Sequence, residues 1–222
     1  MSGDGTNTLA NKMIERVPHP CKYGCQVKNY LKEIKEHEEK CPERTIKCPH
    51  LGCKEMVQVI NYQQHAMSSK NCNIYPNNIL LRKFTSVFYE RDLDSTTHVV
   101  VDWHMRAFQD RGKIFYFHKH FFSPEKIFAF YVTSLAEQAE KYLAKMTLKN
   151  PKDDRKSLSI AQNVIPMDSA PKNGKEVLAS KSVMLVHWCT ISDFVIWRNV
   201  TENGKVSKVS NFEASIDIDY ID

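Results

Sequence analysis

Six of the seven cysteines fall within residues 21–72, and two histidines stand between them at matching places. Cys21-x3-Cys25-x11-His37-x3-Cys41 is followed by Cys48-x4-Cys53-x11-His65-x6-Cys72, with the first cysteines 27 residues apart. A doubled pattern of this kind constrains the fold more than any propensity, because a repeat is a structural unit used twice. Each copy offers three thiols and one imidazole, the four ligands a closed tetrahedral Zn²⁺ site requires. Each copy is also too short to build an apolar core of its own, and a structural zinc supplies that deficit with roughly 10–16 kcal/mol of apparent binding free energy in finger peptides. The expected cofactor is therefore two structural Zn²⁺ ions, held by Cys21, Cys25, His37 and Cys41 and by Cys48, Cys53, His65 and Cys72.

The local sequence fits that expectation. Gly24 and Gly52 each precede the second cysteine of a pair, where a tight turn favours the left-handed backbone that glycine tolerates. Tyr30, Ile34, His37 and Cys41 recur at helical spacing, so the first helix is expected to present His37 and Cys41 on one face and Lys32, Lys35, Glu36 and Glu39 on the other. In the second copy Asn61 is the expected N-cap, with Gln64 three residues on, and the longer gap to Cys72 places that ligand beyond the helix end. His19 and His50 are expected to face solvent. Disulfides are the competing use of the cysteines. The first 19 residues lack the apolar segment of a secretory signal, which points to a reducing compartment, the cytoplasm or the nucleus. Neither close pair has the C-x2-C spacing of a redox motif.

Beyond residue 76 the period changes to two and aromatics become dense. "HVVVDWHMRAF" places Val99, Val101, Trp103, Met105 and Ala107 on one face. "KIFYFHKHFF" and "KIFAFYVTSL" flank Ser123-Pro124-Glu125 as a hairpin, "AEQAEKYLAKM" reads as a short helix with Ala139, Tyr142 and Leu143 inward, and "SLSIAQNVI" reads as a strand. In "NFEASIDIDY" Phe212, Ala214, Ile216, Ile218 and Tyr220 alternate with polar residues, the mark of a half-buried antiparallel strand, and Asn203-Gly204 marks the turn before it. The pattern predicts a flexible tail over 1–18, an α+β zinc-finger region over 19–76, and a mainly antiparallel β-sandwich over 77–222 with one or two short helices.

No catalytic constellation stands out. His118 and His120 share one side of a strand, with His98 and His104 as further candidates for a metal site, but the expected reading is a polar strand face. Cys189 has apolar neighbours and is expected to be a buried thiol; it becomes a candidate nucleophile only if His187 reaches it. No run of about 18 apolar residues is present to span a membrane. The formal net charge of +5 is spread without a basic stripe. Lys28, Lys32, Lys35 and Lys40 are interleaved with Glu33, Glu36, Glu38 and Glu39, which argues against nucleic acid as the partner.

Two Cys3His fingers ahead of a β-sandwich resemble the TRAF and seven-in-absentia (SIAH) group. The likeness is carried by the x11 gaps, His37-x3-Cys41 and the six residues between Cys41 and Cys48, and more loosely by "FAFYVTSLAEQAEKYLAKMTL" and "FEASIDI". It implies a sandwich of TRAF/SINA-like type and an adaptor or substrate-recognition protein whose partners are peptides taken as an added strand on the sandwich edge. Members of the group also imply a homodimer through the sandwich. Relatives usually carry a RING finger upstream. Only 20 residues precede Cys21 and they hold no cysteine, so the alternative expectation is a subunit of a ubiquitin-ligase pathway whose RING comes from another chain. Two departures stand out: no heptad segment joins the fingers to the sandwich, and the second finger ends in Cys where SIAH proteins have His.

Overall fold

The turn-forming glycine and the short alternating strands of the first 72 residues build a unit with little apolar interior. The structure is a computed structural model and describes residues 8–50, 52–72, 74–75, 83–89, 93, 100–136, 138–153, 155–202 and 205–221. It divides into two units, 1–72 and 73–222. Among the described residues no helix is long and apolar enough to cross a membrane.

The first unit repeats one plan. Strands β1 (His19–Pro20) and β2 (Lys28–Asn29) pair antiparallel and lead into helix α2 (Leu31–Lys40). Strands β3 (Thr45–Lys47) and β4 (Met56–Gln58) pair the same way and lead, through one 3-10 turn, into α3 (Tyr62–Ser68). A helix α1 (Thr8–Glu15) precedes them, inside the stretch 1–18 read as a flexible tail. It is tied down where His19 Nε2 lies 2.9 Å from the Ile14 carbonyl oxygen. The repeats are joined by backbone: the Val59 and Ile60 N–H groups donate to the carbonyls of Arg44 and Pro42 at 3.0 and 2.8 Å.

The second unit holds two open sheets. In one, β11 (Ser157–Asn163), β10 (Tyr142–Lys149), β15 (Lys205–Tyr220) and β14 (Ile196–Glu202) lie in that order, and β6 (Lys83–Tyr89) pairs with β15 as well. In the other, β12 (Ile165–Pro166), β9 (Ile127–Ser134), β8 (Lys113–Phe122), β7 (Val100–Asp110) and β5 (Ile74–Tyr75) follow one another, with β13 (Met184–His187) also on β9. Pairing is antiparallel except for β12 on β9 and β5 on β7. The sheets share one apolar core. Phe115, Phe117, Phe121, Phe128, Phe130 and Val132 from the second meet Ala144, Met146, Leu148, Phe212, Ala214, Ile216 and Ile218 from the first. The far face of the β8–β9 sheet is covered too: Phe122, Ala129 and Tyr131 pack under Ile165, Val177 and Val183.

Several sequence expectations need correction. The helix read over 136–146 is a single 3-10 turn, Ala139–Lys141, followed directly by β10. Tyr142 and Ala144 are buried while Lys145 is exposed, which is strand alternation. Phe212, Ala214, Ile216 and Ile218 face inward as expected, but Tyr220 is exposed and packs edge-on against Tyr142 at 5.2 Å. Of the inward face read for 99–107, Ala107 is buried as expected and the other side chains lie outside the described residues; β7 shifts register against β8 between Trp103 and Arg106. The turn at Asn203-Gly204 also lies outside the described residues, although Glu202 pairs with Lys205 across it.

Candidate metal centre

Each ligand set is assembled the same way. The first cysteine follows the first strand of the hairpin, the second sits in the connecting loop, the histidine lies on the helix, and the last cysteine lies beyond the helix end. Loop geometry is set by backbone bonds. Cys21 N–H donates to Val27 O at 3.0 Å and Gly24 N–H donates back to Cys21 O at 3.1 Å. In the second copy Cys48 N–H donates to Glu55 O at 2.9 Å and Cys53 N–H to His50 O at 3.0 Å. Gly24 takes the left-handed backbone the turn demands, with φ +86°. Gly52 does not, and a methyl group there would meet only Asn71 O at 3.5 Å, so the longer x4 loop makes its turn without strain.

The helices are anchored under the ligands. Ile34 of α2 is buried against Cys21 and Cys41, with Tyr23 and Cys25 packed alongside. Tyr62 and Ala66 fill the equivalent space in α3. Cys41 is the C-cap of α2 in extended backbone rather than a residue of its face, and Tyr30, the N-cap, is exposed. Asn61 occupies the N-cap of α3, but its side chain donates to Gln58 Oε1 at 2.9 Å instead of capping a helix amide. Cys72 lies past the end of α3, as the x6 gap predicted.

The eight ligand atoms fall into two clusters, Cys21, Cys25, His37 and Cys41 and then Cys48, Cys53, His65 and Cys72, each with all its atoms within 4.8 Å of one another. In the first, Cys21 and Cys41 Sγ are 3.8 Å apart and Cys25 Sγ is 3.1 Å from His37 Nε2. In the second, Cys48 and Cys72 Sγ are 3.6 Å apart, and His65 Nε2 is 3.5 Å from both Cys53 and Cys72 Sγ. Sulfurs at about 2.3 Å from a tetrahedral zinc stand about 3.8 Å from one another. The donor sets therefore fit two structural Zn²⁺ ions, with imidazole Nε2 as the nitrogen donor in both. All four positions of each site come from the protein, so neither leaves an open position for a substrate.

The thiols need the cation. Burial, partly offset by the His50 amide, and the neighbouring thiols push Cys48 up to about 12. Burial also raises Cys72. At Cys25 the Val27 amide pulls the thiol down but is outweighed by burial and by Cys21 and Cys41, and the group is pushed up to about 11. Three thiols gathered this closely resist ionising together, and a dication reverses that by binding the thiolates and releasing the protons.

A carboxylate latches the first loop to its helix. Glu38 Oε1 accepts the Lys22 backbone N–H at 2.9 Å, and Oε2 pairs with Lys22 Nζ at 3.1 Å. The Lys22 amide, then its ammonium, lowers the Glu38 pKa. A depressed carboxylate pKa means the latch holds above the ordinary carboxylate range and is lost as pH falls through the folded-state value. Glu38→Ala is expected to speed hydrogen exchange at the Lys22 amide. Lys22→Ala, which removes only a solvent-exposed ammonium and keeps the amide bond, leaves exchange unchanged. Equal exchange in all three proteins would show that the bond does not hold the loop.

His50 departs from expectation. It is buried rather than solvent-facing, and burial, with His65 beside it, lowers its pKa. Among the described residues His118 and His120 form no metal cluster: His118 Nε2 is 2.9 Å from Thr133 Oγ1, its ring stacks on Tyr131 at 4.5 Å, and His120 Nε2 is 3.2 Å from the Tyr131 hydroxyl. Burial, and then His120, push His118 down to about 3, which keeps it neutral in a polar layer of the sheet. His98 and the side chain of His104 lie outside the described residues. Cys189 is exposed, not buried. It stands in the four-residue helix Trp188–Ile191, with His187 Nδ1 3.1 Å from its sulfur and accepting its backbone N–H at 3.3 Å, so His187 caps that helix.

Residues 12–65 match the TRAF-type zinc finger family. The match takes in seven of the eight ligands and ends before Cys72. No curated protein matches the chain. The two ligand clusters and this match together define a TRAF-type zinc finger with two zinc sites, a domain type that is generally a protein-interaction module.

Proposed function

We propose that this chain is a zinc-dependent adaptor or substrate-recognition protein, in which the fingers shape one surface and a TRAF/SINA-like β-sandwich takes an extended partner peptide. The observation that carries the reading is the pair of closed Cys3His sets, which give the metal a shaping role and leave no position for chemistry. The β-rich unit supports peptide capture. Strand β11 is the last strand of its sheet and, among the described residues, pairs only with β10. Leu158 and Ile160 seat it on the core while its outer edge keeps backbone donors and acceptors for an added strand. Free finger thiols suit a reducing compartment, the cytoplasm or nucleus.

The test is affinity capture on the zinc-loaded chain, followed by titration of synthetic peptides against the purified protein. The expected result is a short motif shared by the captured proteins, whose peptide binds one-to-one and changes little between 50 and 200 mM salt. Captured nucleic acid, with affinity falling about 10³-fold or more over that range, would overturn the reading in favour of phosphate contacts.

A further inference from the structure

The two zinc sites differ just outside their ligands. In the second, the His65 ring is used on both edges: Nε2 faces the thiols at 3.5 Å, and Nδ1 stands 3.5 Å from Glu55 Oε2. In the first, His37 Nε2 faces Cys25 in the same way, but among the described residues no carboxylate pairs with its Nδ1. The carboxylate that serves the first site, Glu38, holds the cysteine loop instead. Glu55 reaches His65 because it leads into β4, one residue before the strand that carries the chain back to α3, and its own carbonyl accepts the Cys48 N–H at 2.9 Å. One residue thus ties the cysteine loop by its backbone and meets the histidine by its side chain.

We propose that Glu55 is a positioning residue for the second zinc site, holding His65 in the tautomer that leaves Nε2 free to bind metal. An imidazole that binds through Nε2 carries its proton on Nδ1. A carboxylate at Nδ1 accepts that proton in a hydrogen bond, selects the tautomer, fixes the ring plane and raises the basicity of the ligating nitrogen. Outer partners of this kind change metal affinity by about 10–100-fold, and a carboxylate as exposed as Glu55, at 58%, is expected to act at or below the low end of that range. Among the described residues the second site gains this support and the first does not, so the pair is built to hold its two metals unequally.

The experiment uses the full chain loaded with zinc and labelled with ¹⁵N-histidine, titrated with a competing chelator. Ring ¹⁵N shifts report the tautomer and metal ligation of His37 and His65 separately. For Glu55→Ala the expected result is a loss of affinity of about threefold to tenfold at the His65 site, with the His37 site unchanged. The His65 Nδ1–H signal should broaden or shift as its acceptor is lost. Glu55→Gln, whose amide oxygen still accepts from Nδ1–H, should restore affinity to within about twofold and keep the tautomer signal. The proposal is overturned if Glu55→Ala leaves release from the His65 site unchanged, or if Ala and Gln weaken it equally. Weakening of both sites together would likewise overturn it, because that is general loosening of the fingers.

Discussion

Removing zinc from the whole chain is expected to unfold residues 8–72 and to leave the melting transition of the β-rich unit in place. The fingers have almost no apolar interior: in the first, the buried cluster consists of Ile34 and two of the metal ligands, Cys21 and Cys41, with Tyr23 and Cys25 half-buried beside them. Without a metal those cysteines are closely packed thiols that resist ionising, and the helices α2 and α3, of ten and seven residues, are too short to persist alone. A structural zinc contributes about 10–16 kcal/mol of apparent binding free energy in comparable peptides, so its loss exceeds anything the remaining contacts supply. The β-rich unit has its own core, whose described residues all lie beyond position 92. Chelation should therefore abolish protease resistance between Lys12 and Lys70 while calorimetry still shows one cooperative transition for the rest. Metal analysis should give two zinc per chain, and His37→Ala and His65→Ala should each remove one. Full protease resistance of the finger region after chelation would mean that the metal is not its core.

The finger ligands were readable because zinc chemistry fixes residue types and the repeat fixes their partners. His37 and His65 each stand twelve residues after a cysteine in a pattern that occurs twice, and both meet the thiols through Nε2. What surrounds the ligands was not readable. Glu55 meets His65 across a hairpin, and His50 is buried by packing that no spacing encodes. The β-rich unit divides in the same manner. β15 shows clean alternation from Phe212 to Ile218 because one face of its sheet is wet. β8 and β9 read as continuous aromatic runs because their sheet is covered on both faces, by the shared core and by the segment carrying Ile165, Val177 and Val183. Ala139, Tyr142 and Leu143 fit helical spacing, yet Tyr142, Ala144, Met146 and Leu148 fit a period of two as well. The strand prevails because β10 pairs on both sides, with β11 and β15. Cys189 was misplaced for a different reason: its apolar neighbours suggested burial, but β13 ends on the exposed His187 and Cys189 lies on the exposed side of the short helix that follows.

Phe212→Ala is expected to cost the β-rich unit about 3–5 kcal/mol, a large share of the 5–15 kcal/mol by which a typical domain is stable. Phe212 is 1% exposed and sits where the two sheets meet. Its ring stands edge-on to Phe128 at 6.0 Å and to Phe130 at 6.2 Å, with interplanar angles of 88° and 89°. Truncation removes the apolar area of the ring and both edge-to-face contacts, and the cavity it opens is walled by β-strands that are hydrogen-bonded on either side and cannot move in to fill it. Phe212→Leu keeps most of the volume and should cost clearly less than the alanine variant. Urea unfolding followed by tryptophan fluorescence is the measurement, since Trp188 and Trp197 both pack against this core. The midpoint should fall sharply for alanine with little change in slope, which marks a loss of native packing rather than a change in the unfolded chain. The two zinc ions per chain should be retained, because every ligand lies in residues 21–72. An unfolding free energy within about 1 kcal/mol of the parent would mean that Phe128 and Phe130 do not depend on Phe212, and that the sheets are held together elsewhere in the core.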